Sequence, residues 1–420
     1  MLLSSERARE VVMPAPTQLS SAPTSDETDV HTESLRPSPC TALFECNLLS
    51  GIGGSLLQIG LDLNSIFYVV SLLVFVAYGL YAPRIQVWFA LNEIGRGLTR
   101  LKVMKDKARK ETIDYLTTTG KAPKDPTERV DQFLDYITIM PVDIDPNGIV
   151  GKIDHVVTTR DDRVRQEVGT IVGDKSPVTV SVSENLLEAA TALNTIHKIV
   201  RHFYLLGKKT NSYFLLVQLQ MLMPMIIQEA DALVSAVDTF KLAQPLGDGI
   251  GAVIASRYMV GREKQTIAKD TVLAVNEYKG RKLYVVKAEG PMAYVGQPGV
   301  GIRHVIEEMG VKPSAIIMID AALKLEGEKT GEIAEGVGAA IGGIGVEKYQ
   351  IEEVAAKHKI PIYAILVKQS ILEAITAMRK EIAEASDKVM TLLNRVIEEK
   401  TKEGDDILIA GIGNTLGVSQ

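Results

Sequence analysis

The sequence predicts three parts in a row: a single-pass membrane anchor, an α-helical middle region and a C-terminal three-layer α/β domain with a mainly parallel sheet. Three observations carry this. Twenty-one uncharged residues, 63–83, separate Asp62 from Arg84. Apolar residues recur at helical spacing through 183–206 and 211–240. Beyond about residue 242, short apolar runs alternate with helical stretches, as strands joined by helical crossovers do.

The anchor follows from length, because 63–83 is enough helix to cross a hydrocarbon core of about 30 Å. A buried core helix would show a polar face, and Ser65 to Ala82 shows none. From Arg84 to Lys110 there are eight Lys or Arg against Glu93 and Asp106, whereas residues 1–61 carry only Arg7, Arg9 and Arg36. By the positive-inside rule the N-terminus lies outside the membrane and everything after Arg84 in the cytoplasm. The lipid bilayer is thus an expected partner, with the basic flank touching anionic headgroups. Residues 1–46, whose first 40 are rich in Ser, Thr, Pro and acid, read as a disordered extracytoplasmic tail. Cys40 and Cys46 fall within it, with five residues between them, and match no thiolate metal pattern.

Bulk charge excludes one class of partner. A net charge of -6 over 420 residues leaves no overall basic face, so no nucleic acid partner is expected.

In the membrane-proximal region, 84–241, a basic helix runs to about residue 118, and "KAPKDPTERV" breaks it and offers Asp125 or Thr127 as the cap of a second. The stretches 183–206 and 211–240, joined by "GKKT", read as a helical hairpin. Its second arm contains Gln218, Gln220 and Pro224 and reads as a buried soluble helix, with Met221, Met223 and Met225 as adaptable packing around the kink expected at Pro224. Within "DIDPNGIVGKID", Asp143, Asp145, Asn147 and Asp154 fall at the first, third, fifth and twelfth positions of a calcium-loop pattern. Pro146 and the terminal Asp weaken the match, and "KIDHVVTT" reads as strand or loop rather than the exit helix such a loop requires.

In the α/β domain, 242–420, "LYVVKA" (283–288), "AIIMID" (315–320), "IYAILV" (362–367) and "ILIAG" (407–411) read as strands, with "TVLAVNEY" (271–278) as a fifth. Function in such sheets gathers where strands end and helix N-termini converge. Asp320 ends a strand, and Asp248 in "PLGDGIGAVIA" precedes a helix it can cap. Glycine-rich stretches at 296–301, 336–345 and 411–413 offer backbone N–H groups to a ligand.

At these residues the sequence resembles the superfamily of the spore-germination and hydrogenase-maturation proteases. "GPMAYVGQPGVGIRHVIEEMGVKPSAIIMIDAAL" (290–323) and "HKIPIYAILV" (358–367) resemble segments of the first, and "GDGIGAVIA" (247–255) resembles a motif of the second. In those enzymes a strand and loop of the form of "ILIAGIGNTL" (407–416) precede that motif, so the resemblance implies a circular permutation that brings 407–416 beside the start of the 248–260 helix. It also implies a phosphorylase/hydrolase-like fold, with Asp248 and Asp320 as the acidic residues on which peptidase activity depends and Gln297 in a matching turn. The maturation proteases' metal-binding His has no counterpart here. From the anchor onward the chain also resembles an uncharacterised archaeal membrane-protein family described only as a domain of unknown function.

Three functions fit this reading. The first is an aspartate-dependent endopeptidase using Asp248 and Asp320, with a divalent metal as an optional cofactor. The second is a non-catalytic module that binds a peptide or small anion through Gln297, Gly411, Gly413 and Asn414. The third is a membrane-proximal homo-oligomeric scaffold.

Overall fold

The computed structural model describes residues 63–139, 148–343 and 345–419. The tail with its two cysteines, and Asp143, Asp145 and Asn147 of the calcium-loop pattern, lie outside the described residues. Two compact units divide the chain after Trp88.

In the first unit, helix α1 (Leu63–Thr118) begins, and Phe67, Tyr68, Leu72 and Phe75 expose most of their apolar side chains. Ile66–Gly79 has the length and composition of a span only when joined to Arg84–Thr118 across a bend. The helix that qualifies by itself is α5 (Tyr213–Lys241), in the second unit. Its Leu216, Leu219, Met223, Ile226, Leu233 and Phe240 are buried, while Met221 and Met225 are exposed.

The second unit begins with the remainder of α1, followed by α2 (Thr127–Leu134), α3 (Ile149–Ile171), α4 (Pro177–Thr210) and α5. Ser176 and Ser212 cap the hairpin arms α4 and α5, each accepting a backbone N–H of the first turn. The reversal falls at Asn211, whose left-handed backbone ends α4, rather than at the expected "GKKT", which remains helical. Part of the basic flank of α1 forms ion pairs within this unit. Arg100 pairs with Asp231 at 2.6 Å and Lys107 with Asp238 at 3.4 Å on α5, and Arg109 pairs with Asp131 on α2.

The reading of residues 152–159 as strand or loop is corrected: they lie inside α3. Val164, Val168 and Ile171 recur at helical spacing and are buried, so packing decides the conformation of a segment rich in β-branched residues. Asp154, the last position of the calcium-loop pattern, therefore stands within a helix that already starts at Ile149. Among the described residues no group of three or more His, Cys, Asp or Glu is placed to hold a metal ion.

The α/β domain follows, with α6 (Ile250–Met259), β1 (Lys264–Ala268), β2 (Thr271–Tyr278), β3 (Arg281–Ala288), α7 (Pro298–Arg303), β4 (Ala315–Leu323), β5 (Ile333–Val337), α8 (Val346–His358), β6 (Ile362–Gln369), α9 (Ile371–Ile375), α10 (Lys380–Lys400) and β7 (Asp406–Gly411). The seven strands are ordered β1-β2-β3-β7-β4-β6-β5. The sheet is mixed, not mainly parallel: β3, β7, β4 and β6 run parallel, while β1, β2 and β5 are antiparallel to their neighbours. The reason is local. Asp270, and Lys279 with Gly280, adopt positive φ in tight turns that fold β1, β2 and β3 into a meander, leaving no room for helical crossovers.

The terminal strand β7 sits in the middle of the sheet. Ile407 and Ile409 pack with α6 and α10 on one face, and Leu408 and Ala410 pack with residues of α7 and α8 on the other. Burial on both faces explains why this strand reads as an unbroken apolar run.

Candidate functional site

The carboxyl ends of the parallel strands meet the loops that follow them, the general location of ligand sites in such sheets. The last residue of chain within β7 is Gly411, where a Cβ would lie 2.4 Å from both the Ala255 Cβ and the Gly251 carbonyl oxygen of α6. Only glycine allows this helix to approach the strand so closely. Two residues on, Gly413 has φ +122°, and a Cβ there would lie 1.9 Å from the carbonyl oxygen of Asp248. The two backbones are thereby pressed together, and the Asn414 N–H donates to Asp248 Oδ2 at 3.2 Å. The segment 411–416 thus does lie beside the start of the 248–260 helix.

Asp248 stands in the short helical turn Gly247–Gly249 that leads into α6. Asp320 does not end its strand as expected but lies within β4, which runs on to Leu323; it is 6% exposed and accepts the Ala321 N–H at Oδ1, 2.7 Å away. Both carboxyl residues line one cavity of about 200 Å³. Its wall also includes Gly296, Gly342, Gly343 and Gly413 from the three glycine-rich stretches, Gln369 at the end of β6, and Glu347 near the start of α8.

The other anticipated residues divide. Gln297 lines an adjoining cavity of about 150 Å³, and its backbone N–H donates to Thr271 Oγ1 at 2.7 Å. Asn414 is fully buried; its Oδ1 accepts the Leu416 N–H, and its Nδ2 has no hydrogen-bond partner among the described residues. Gly411 is a packing residue, as its surroundings show.

Two residues went unmarked in the sequence. Glu347 belongs to the walls of both cavities, and its carboxylate accepts the Gly299 N–H at the start of α7. Burial pushes its carboxyl up to about 7 despite that hydrogen bond. Gln369, 1% exposed, also borders the cavity, and neither its Oε1 nor its Nε2, both buried, is hydrogen-bonded among the described residues. A polar residue closing an apolar strand was the available signal for Gln369.

The adjoining cavity lies between α3, α4 and the α/β domain, with Asp154, Asp161, Glu184 and Asp270 in its wall. Arg165 holds it together: it donates to both carboxylate oxygens of Asp270, at 3.2 and 2.8 Å, and lies over the Tyr294 ring. Burial also raises the Glu184 carboxyl to about 7, with Arg165 opposing the rise.

No curated protein shows significant similarity to the chain. Residues 66–243 match the family model described as "Protein of unknown function (DUF1512) N-terminal domain", and residues 246–419 match "Domain of unknown function (DUF1512) C-terminal". Between them the two models cover nearly all of the sequence from residue 66 onward, and the chain belongs to the DUF1512 family.

Proposed function

We propose that this protein is a membrane-anchored, cytoplasm-facing peptidase in which Asp248 and Asp320 supply the acid and the base. The observation that carries the reading is that these two carboxyl residues, 72 positions apart in sequence and on separate elements, line one cavity at the ends of the parallel strands. The resemblance to the germination and maturation proteases supplies the substrate class. In this reading one carboxylate takes a proton from water as its oxygen attacks the scissile carbonyl carbon, and the other carboxylic acid protonates the carbonyl oxygen. Proton transfer to the amide nitrogen of the tetrahedral intermediate then releases the amine as the C–N bond breaks. The exposed apolar face of Ile66–Val76 and the charge asymmetry around it support anchoring by the first part of α1.

The test uses the full chain in detergent micelles and a library of capped decapeptides read by mass spectrometry. Cleavage is expected, and Asp248→Asn and Asp320→Asn should each reduce it by at least about 100-fold. No cleavage, or cleavage indifferent to both substitutions, overturns the reading. Peptide-induced thermal stabilisation without turnover would instead favour the binding module, which the backbone-rich glycine wall of the cavity also suits.

A further inference from the structure

The turn of the α4–α5 hairpin carries apolar side chains that packing does not account for. Leu205 and Leu206 near the end of α4, and Tyr213 and Phe214 at the start of α5, are all exposed, Phe214 to 71%. The buried face of α5 is a different one, formed by Leu216, Leu219, Met223 and Ile226. Between the two apolar pairs stand Lys208 and Lys209, both exposed and neither paired with a carboxylate among the described residues. Lysines that close a helix answer to its dipole, but the dipole leaves the four apolar neighbours unexplained. Apolar side chains gathered on a surface beside cations mark a place of interaction.

The contacts of α5 fix where this turn lies. The helix runs parallel to α1: Gln220 donates to Glu93, Asp231 pairs with Arg100, and Asp238 pairs with Lys107. Phe214 precedes Gln220 by six residues, about 9 Å of helix, whereas α1 enters the unit at Phe89, about 6 Å before Glu93. The turn therefore reaches the end of the unit at which α1 arrives from the apolar segment. The α/β domain packs nearer the other end of the hairpin, where Asn185 donates to the Ala293 carbonyl at 3.4 Å and the Ala377 N–H donates to Thr239 Oγ1 at 3.2 Å. We propose that the α4–α5 turn docks on the anionic headgroup layer of the bilayer that α1 enters, with Leu205, Leu206, Tyr213 and Phe214 at the acyl boundary and Lys208 and Lys209 on lipid phosphates. This rests on the anchoring by α1 read above. Charge selects lipid over a second copy of the chain, because a two-fold contact between turns would bring the lysine pairs together. Two lysines and four apolar side chains hold a bilayer only weakly by themselves, so the tether supplies the effective concentration. Docking then keeps the α/β domain away from the bilayer, toward the far end of α5, whose 29 residues span about 43 Å.

The test uses the full chain reconstituted into vesicles of phosphatidylcholine with about 30% phosphatidylglycerol. Trp88 is the only tryptophan, so Trp88→Phe with Phe214→Trp puts the sole fluorophore at the turn, and Trp88→Phe with Tyr349→Trp puts it on an exposed position of α8. Lipids brominated on the acyl chain should quench the first at least about 2-fold and leave the second unchanged. Raising NaCl to about 0.5 M, or adding Lys208→Glu with Lys209→Glu, should each release most of that quenching. A chain that floats with the vesicles but shows no quenching at position 214 overturns the docking and leaves the anchor standing, and a blue shift there that grows with protein concentration would give the turn to a second copy. Quenching indifferent to both salt and charge reversal also overturns it, in favour of α5 lying within the bilayer. If the chain does not float with the vesicles, anchor and docking both fall.

Discussion

The backbone N–H of Asn414 donates to Asp248 Oδ2 at 3.2 Å across 166 residues of sequence. The last strand of the chain thereby supports the loop with which the α/β domain begins. Gly417 extends the contact, since a Cβ there would lie 2.6 Å from the Ala243 carbonyl oxygen. The C-terminal segment and the start of the domain are neighbours in space, the condition that a permuted order of elements requires.

This contact depends on glycine at the end of β7. Gly411→Val forces a side chain into the Ala255 Cβ and the Gly251 carbonyl, so it should cost about 3 kcal/mol by overpacking. Gly336→Ala on β5 meets only ordinary contact, at 3.9 Å from the Ala364 Cβ, and should change stability by less than about 1 kcal/mol. Chemical denaturation of the two variants checks both values.

Glu347 should make stability fall as the medium becomes less acidic. Its folded pKa of about 7 lies above the ordinary 4.5, so between these values the folded state binds more protons than the unfolded state. Its contribution is fully present below about pH 4.5 and is lost as pH rises through about 7. Glu347→Gln keeps an acceptor for the Gly299 N–H and removes the charge. It should stabilise the protein by up to about 3 kcal/mol at pH 8 and leave it unchanged near pH 4, as thermal unfolding across that range would show.

Two helices are candidates for a membrane span among the described residues. If the first part of α1 crosses the bilayer, a chain lacking residues 1–83 should leave the membrane fraction and remain soluble without detergent. Retention of that chain in carbonate-washed membranes would assign the anchor to α5, the helix long and apolar enough by itself.

Arg165 ties the helical region to the β1–β2 turn through Asp270 and to the loop after β3 through Tyr294. Arg165→Ala should cost about 1–3 kcal/mol, because it leaves the largely buried Asp270 carboxylate without its bidentate partner. Arg165→Lys, which offers a point charge rather than a planar fork, should recover only part of this. Urea unfolding of the two variants measures both effects.

Part of the site was legible because strand ends and helix starts mark the same edge of an α/β sheet. Asp320 and Asp248 carry those signals, and both line the cavity. Glu347 was missed because a carboxylate in the first turn of a helix ordinarily answers to the helix dipole and nothing more. Its neighbours at Gly299 and Asp154 come from distant segments. Gln297 and Gly411, which motif resemblance marked, take separate places: the first lines the adjoining cavity and the second packs a helix onto a strand.

The sequence by itself determined the local elements that periodicity and apolar runs encode. These are the long helices and the central strands β3, β4, β6 and β7, whose residues are buried on both faces. Tertiary structure alone decided that residues 149–171 are helical and that the meander and β5 make the sheet mixed. It also decided that Gln369 and Glu347 share a cavity with the two aspartates. Periodicity reports which face of an element is covered, whereas strand direction and the convergence of loops depend on contacts between residues far apart in the chain.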